Sequence, residues 1–366
     1  MKGTRRSGSR RLEELGERAL VERLGRLLPA DPRWVRVGSG ADDTAVLQMD
    51  GRQLTLASCD IQVEDLHFRR DWVTPQVLGR RAASVSLSDI AAMGGEARAA
   101  LASLQLPGQL EVRWFDGIVR GLGERLAAHG AQLVGGNLAR SSRGIVVDVT
   151  VLGCAPARRI VQRAGARAGD RILTTGWPGE SAAGLALLGA GWRPRSSVGR
   201  QRAVGGRLRA RTGVRLRAAD VRHVVRRHLD PTPRLREGRA LAAAGVTAMI
   251  DISDGLLTDL HRLCAASRVG AEIDADRLPV SAVLARLAAA LGVQAGGWVL
   301  RGGEDYELLC SAPPRRVARL QERLAALGMP LHDVGRVLPQ PGLWLRSAGR
   351  RRRVTSGGFD HFRGRR

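Results

Sequence analysis

A chain of 366 residues with 44% hydrophobic content is long enough for about two domains of roughly 150 residues, each with its own core. Its formal charge of +24 sits in three places: the first twelve residues contribute +5, residues 191–240 contribute +12 and residues 341–366 contribute +7, leaving the body neutral. A nucleic-acid partner would have to rest on these peripheral runs, and aromatics at 3% supply no stacking platform, so solvated arginine surface is the preferred reading. No apolar run follows the basic start and no stretch approaches the roughly 18 apolar residues of a membrane span, which predicts a soluble, cytoplasmic protein with no membrane partner. The four cysteines, Cys59, Cys154, Cys264 and Cys310, lack the paired spacing of a zinc or redox motif, so reduced and mostly buried thiols are expected. Lys2 is the only lysine, which excludes both a P-loop and the strand lysine of a protein kinase. Any nucleotide phosphates must be neutralised by metal ions and arginines.

Along the chain, residues 1–37 read as a basic leader and a helix over 12–28. Gly38 to Asp43 form a turn feeding a strand. Leu54, Leu56, Ser58 and Asp60 fall on one face of the next strand, which Asp60 is expected to end. Thr74-Pro75 reads as an N-cap and first-turn proline opening a helix towards Met93, stopped by Gly94-Gly95. Its apolar stripe is Leu78, Ala82 and Val85, and the next position on it is Asp89; an acid on a buried line needs a partner. Strands are expected over 99–106 and 145–152 with a helix over 112–129 between them. A strand over 171–175 opens a second domain, with the boundary near 155, giving domains of 38–155 and 156–366. Residues 191–226, rich in arginine and glycine, read as an insertion. Pro231-Thr232-Pro233 introduces a helix to Ala244, a strand follows over 246–252, and a helix then carries apolar residues at 256, 257, 260, 263 and 264. The pattern is mixed α/β, of the α+β type.

Carboxylates recur at turns and element ends: Asp42 and Asp43, Asp60, Asp89, Asp251 and Asp254, Glu304 and Asp305. Taken singly they have local explanations. Asp is common in turns, Ser253 could cap the helix that follows, and residues 302–305 could be a loop between strands. Asp89 is the hardest to explain by structure alone. Together, acids on separate elements of both domains fit a Mg2+-polyphosphate site, since Mg2+ takes oxygen ligands in near-octahedral geometry, usually one or two carboxylates with water and phosphate. Phosphoryl transfer then needs alignment and charge neutralisation, with no covalent nucleophile.

The motifs are Gly-Ala-Asp-Asp-Thr-Ala-Val-Leu (40–47), Asp60 with His67-Phe68, Ser-Leu-Ser-Asp-Ile-Ala-Ala-Met-Gly (86–94), Gly135-Gly136, Asp-Ile-Ser-Asp-Gly-Leu (251–256), Gly-Gly-Glu-Asp-Tyr-Glu-Leu (302–308) and Gly-Phe-Asp-His-Phe (358–362). In this order they resemble the thiamine-monophosphate kinases, of the superfamily that also holds aminoimidazole ribonucleotide synthetase and selenide, water dikinase. The resemblance implies a two-domain synthetase-like fold with an N-terminal ATP- and Mg2+-binding domain and the ATP site in the cleft. It implies transfer of the γ-phosphoryl group of ATP onto thiamine monophosphate with several Mg2+ ions, in a homodimer. Carried over by motif, Asp43, Ser58, Asp60, Asp89, Asp251 and Asp254 are metal ligands, with Cys59 binding through its backbone carbonyl. Gly136, Asn137, Arg163 and Ser253 are ATP contacts. His67, Glu304 and Phe359 are substrate contacts. On sequence alone Arg163 could equally be one more surface arginine, and His67 a satisfied loop histidine.

Two positions depart from the family pattern. Its Gly-Gly-Asp-Thr stands here as Gly135-Gly136-Asn137-Leu138, so Asn137 offers a metal an amide oxygen with no charge. Cys59 replaces the threonine expected before Asp60. The alternatives are a synthetase of the same superfamily with another acceptor, to be discriminated at His67, Glu304 and Phe359, and a non-catalytic nucleotide- or thiamine-phosphate-binding homologue, for which Asn137 is the sequence argument.

Overall fold

The described strands form two sheets, one from each half of the chain. The computed structural model describes residues 31–355 apart from 34, 39, 40, 50–52 and 195–215, together with Ala19. The helix expected over 12–28, residues 195–215 of the insertion and Phe359 lie outside the described residues. The first sheet contains β1 (Val35–Val37), β2 (Ala45–Leu47), β3 (Gln53–Val63), β4 (Glu96–Pro107), β5 (Gln132–Ser141) and β6 (Val146–Pro156), in the order β1-β2-β3-β6-β4-β5. Only β4 and β5 pair in parallel. Helices α1 (Pro75–Ala92) and α2 (Val112–Ala128) join its core.

The second sheet is formed by β7 (Arg171–Thr175), β8 (Ala248–Asp251), β9 (Gly270–Asp274), β10 (Leu308–Ala312), β11 (Leu331–Leu338), β12 (Gly342–Ser347) and β13 (Arg350–Val354), in the order β13-β12-β9-β11-β7-β10-β8. Its helices are α3 (Glu180–Gly189), α4 (Ala218–Leu229), α5 (Leu235–Ala244), α6 (Leu256–Ser267), α7 (Ala282–Leu291), α8 (Ala295–Arg301) and α9 (Val317–Ala325). The α+β architecture is therefore the one the sequence implies.

Three expectations need correction. Strand β3 pairs with β6 as far as Val63, so Asp60 lies inside the strand; the apolar Val63 and its ladder partner Val146 carry the strand past it. Strand β5 was not foreseen, because it is a sheet edge exposed on both sides and therefore carries no alternation. Helix α4 begins inside the arginine-rich segment, where Val221, Val224, Val225 and Leu229 make a buried stripe at helical spacing.

Helix α1 joins the two halves. Thr74 caps it by accepting from the Val77 N–H at 3.3 Å, and Pro75 occupies the first turn. A Cβ on Gly121 would lie 2.0 Å from the Gln76 carbonyl oxygen and one on Gly79 would lie 2.1 Å from that of Ile118, so α1 and α2 cross with their backbones nearly touching. From the other half, Gly238 of α5 approaches the Ala91 carbonyl as closely. Charge follows the same line: Arg80 of α1 and Arg125 of α2 both bind Asp230, at 2.8 and 2.7 Å.

Within the second half, Glu307 is fully buried and joins α4, α5 and β7: it accepts from Arg227 at 2.6 Å, Arg234 at 2.5 Å and the Thr175 hydroxyl at 2.7 Å. Burial alone would raise its carboxyl, but the two guanidinium groups hold it down at about 2.

Two outcomes follow for stability. Gly121→Ala forces the crossing helices apart and lowers stability by about 1–3 kcal/mol, read from denaturant melts. Because the folded pKa of Glu307 lies below its ordinary 4.5, its contribution is present above that pH and is lost as pH falls towards about 2. Glu307→Gln flattens this acid limb and costs about 3–5 kcal/mol at neutral pH by leaving two buried guanidinium groups without their counter-charge.

Candidate active site

Four elements bring five of the sequence-predicted residues together. Asp43 ends the turn before β2, Ser58 and Asp60 share one face of β3, Asp89 closes the last turns of α1, and Asp251 ends β8. Carboxylate oxygens of Asp43, Asp89 and Asp251 lie within 4.8 Å of one another. Two serines buttress them: Ser58 donates to Asp89, and Ser88 donates to Asp251 at 2.7 Å. Ser58 also lies 3.4 Å from an oxygen of Asp60.

The electrostatics of this group are unfavourable by themselves. Burial pushes Asp89 and Asp251 well above the usual carboxylate range, and neighbouring acids add to it, Asp60, Asp251 and Asp43 acting on Asp89 and Asp43 on Asp251. Burial raises Asp43 as well, against the pull of Arg163. Beside it Asp42 is pushed up to about 7, by burial and then by the charge of Asp43. One oxygen of Asp43 is buried with no hydrogen-bond partner. A buried carboxylate oxygen left unpaired among like charges is the environment a divalent cation completes, and oxygen-only ligands fit Mg2+.

The remaining residues fall into three positions. Arg163 touches the rim of the triad, its Nε donating to Asp43 at 3.0 Å while its backbone N–H donates to Asp42 at 3.1 Å, so it is no free surface arginine. Ser253 does not cap α6. Asp259, one turn into the helix, instead accepts from the N–H groups of Ser253, Asp254 and Gly255 at 3.0–3.1 Å, and Arg262 pairs with both Asp254 at 2.6 Å and Asp259 at 2.8 Å. Glu304 follows α8 rather than joining two strands, and its N–H donates to the Ser253 carbonyl at 2.7 Å. Its carboxylate binds Arg81 and lies 3.5 Å from His228. Burial would raise Glu304, yet the charges of Arg81, His228 and His67 together hold it below the usual range. His67 is anchored through Nδ1, which accepts from the Val63 N–H at 2.9 Å.

Two predicted residues, Gly136 and Asn137, do not join this group within the chain, and the side chain of Cys59 turns away from it, the contact expected of Cys59 being through its backbone carbonyl. Cys59 alternates onto the opposite face of β3, where its thiol donates to Asp148 at 3.1 Å. Asn137 stands on the same open face in the cross-strand row Ile61, Asp148, Ser103, Asn137, three strands from β3 and so about 14 Å away at 4.8 Å per strand. Gly136 packs beneath it, so tightly that a Cβ would lie 1.9 Å from the Ala102 carbonyl oxygen.

Sequence reading missed Ser88, Arg81, Asp148, Asp259 and Arg262. Of these only Asp259 carried a signal, as an acid in the first turn of a helix.

The fold defines the class. The chain matches the models of the AIR synthase related protein N-terminal domain over residues 41–155 and C-terminal domain over residues 167–346. It is 37% identical over 342 residues to a thiamine-monophosphate kinase of Mycobacterium tuberculosis, covering 92% of each chain. It is 34% identical over 348 residues to the Salmonella typhimurium enzyme of that name, covering 95% of this chain and 98% of the other. A solved structure described as AaThiL complexed with AMPPCP and TMP superposes with a TM-score of 0.79 at 30% identity, covering 97% of this chain and all of the other. The chain therefore belongs to the thiamine-monophosphate kinases, and it is a phosphotransferase.

In the absence of metal the triad should resist folding. Asp89→Asn removes one of its charges while keeping the acceptor for Ser58, so in the presence of chelator its melting temperature rises above that of the parent chain. The increment that added MgCl2 produces in the parent shrinks in the variant, because losing one carboxylate weakens cation binding to the folded state.

Proposed function

We propose that the protein transfers the γ-phosphoryl group of ATP to the phosphate of thiamine monophosphate by direct in-line displacement, with Mg2+ ions held by its carboxylates. What carries this reading is the convergence of Asp43, Asp89 and Asp251 from both halves of the chain, with one oxygen of Asp43 left unpartnered. Divalent cations bound there supply the neutralising charge that the polyphosphate needs. Asp43, Asp89 and Asp251 hold them, with Asp60 and Ser58 beside them on β3. Arg163, fixed through its backbone and its guanidinium, presents its partly exposed edge to the nucleotide phosphates. Ser253 and Asp254 line the same corner. Glu304 and His67 orient the acceptor, and Phe359 covers its ring. No residue is asked to become phosphorylated, since positioning and charge neutralisation suffice for this chemistry.

Two domains are proposed, over 38–155 and 156–366, working as a homodimer in the cytoplasm. Among the described residues no single helix is long and apolar enough to cross a membrane. The dimer reading is supported by Ile61, Leu101 and Leu152, which are exposed on the open face of the first sheet. A second copy laid over that face would cover them and bring Gly136 and Asn137 towards a nucleotide they cannot reach within their own chain.

Incubation with ATP, Mg2+ and thiamine monophosphate should yield thiamine diphosphate and ADP in equal amounts. No product at high enzyme concentration, or ATP consumption that requires a different acceptor, would sink the reading. Because Asn137 lacks the charge of the family's aspartate, Asn137→Asp should reach half-maximal rate at a lower Mg2+ concentration; identical Mg2+ dependence counts against a metal-binding role for this position.

A further inference from the structure

The side chain of Arg81 is fully buried, on helix α1 two turns before Ser88, and it faces the second half of the chain. It makes three bonds to three elements. Nε donates to the Gln62 side chain of β3 at 2.9 Å, Nη1 donates to the His228 carbonyl of α4, and Nη2 donates to the carboxylate of Glu304. Gln62 and the His228 side chain are themselves buried, and His228 Nδ1 lies 3.1 Å from the hydroxyl of Ser181. Only Glu304 in this network keeps part of its side chain exposed, at 27%.

A buried guanidinium is a poor way to gain stability, since apolar residues of similar volume often do as well or better, whereas it is a good way to fix the direction of a carboxylate. Glu304 needs such fixing. Its backbone sits at φ 60°, a region that a non-glycine residue adopts at a cost, and its N–H is tied to Ser253. The same helix that carries Arg81 carries Asp89 eight residues later, about 12 Å along its axis at 1.5 Å per residue. One rigid element thus sets the spacing between the carboxylate triad and the Glu304 carboxylate.

We propose that Arg81 is a positioning residue for the acceptor half of the site: it aims the Glu304 carboxylate at a substrate group that carries positive charge or N–H donors, and it sets affinity for the acceptor, not for ATP. The proposal rests on the kinase reading given above. Arg81 itself is shielded from the substrate and acts through Glu304. Lysine can reach Glu304 but cannot also hold Gln62 and the His228 carbonyl, so it substitutes only in part.

Steady-state kinetics of the full chain test this with Arg81→Lys, Arg81→Met, Glu304→Gln and the double variant Arg81→Met/Glu304→Gln. The KM for thiamine monophosphate should rise about tenfold in Arg81→Met and less in Arg81→Lys, while the KM for ATP stays within about twofold. In the Glu304→Gln background Arg81→Met should add little, because the two residues act as one unit. A merely structural tie would instead lower the melting temperature and the fraction of active enzyme without separating the two KM values. Equal rises in both KM values, an unchanged acceptor KM, or independent multiplicative effects in the double variant overturn the proposal. If Arg81→Met does not fold, Arg81→Lys alone decides through the same split. A lost split with normal parental turnover removes the role of Arg81 and leaves the kinase reading standing; absent parental turnover removes both.

Discussion

Three carboxylates that approach within 4.8 Å, inside protein, are costly first because they are buried and then because they repel one another. The surrounding chain is arranged to tolerate that repulsion. Ser58 and Ser88 each donate to one acid, Arg163 balances another, and the acids come from separate elements, so no single segment carries the conflict alone. Rigid backing is what such an arrangement needs, and the two crossing glycines of α1 and α2 supply it by letting the helix that bears Asp89 lie almost backbone to backbone against its neighbour.

Helix α1 is accordingly more than a cover for the first sheet. Its residues face two ways: Leu78, Ala82 and Ile90 belong to the core, while Arg80, Arg81, Ser88 and Asp89 reach partners from the second half of the chain. The site is thus assembled by packing the halves together, and its geometry is as rigid as that interface. The ion pairs of Asp230 with Arg80 and Arg125 oppose sliding of α4 relative to α1 and α2, while those of Glu307 with Arg227 and Arg234 tie α4 and the start of α5 to one another within the second half.

Much of this is legible in the sequence, for identifiable reasons. The α1 boundaries follow from Thr74, Pro75 and Gly94, and the face of β3 that carries Ser58 and Asp60 follows from alternation. Asp89 stands out because it interrupts an apolar stripe. What could not be read was anything set by sheet order. Gly136 and Asn137 belong to a motif, but their distance from Asp60 depends on β6 and β4 lying between, which no local pattern encodes. Cys59 is the opposite case: the alternation that turns Asp60 to the acids also sends the Cys59 thiol to the other side, and this is legible in the sequence. Arg81 was hidden among other arginines, since composition cannot distinguish a buried guanidinium from a solvated one.

Asp259 has a consequence for how the protein can treat phosphate at all. The start of a helix, with its unpaired N–H groups, is the place where many nucleotide-binding folds seat an anion without help from metal. Here the three N–H groups just before α6 point at Asp259, a carboxylate of the chain's own, and Arg262 pairs with the same acid and with Asp254. An acid of the chain's own therefore stands at the approach to this helix start. With no lysine in the body of the chain either, the proposed metal-dependent reading would hand phosphate selectivity in this corner to the cations the acids recruit, and would make the protein's grip on nucleotide a function of the divalent ion concentration around it.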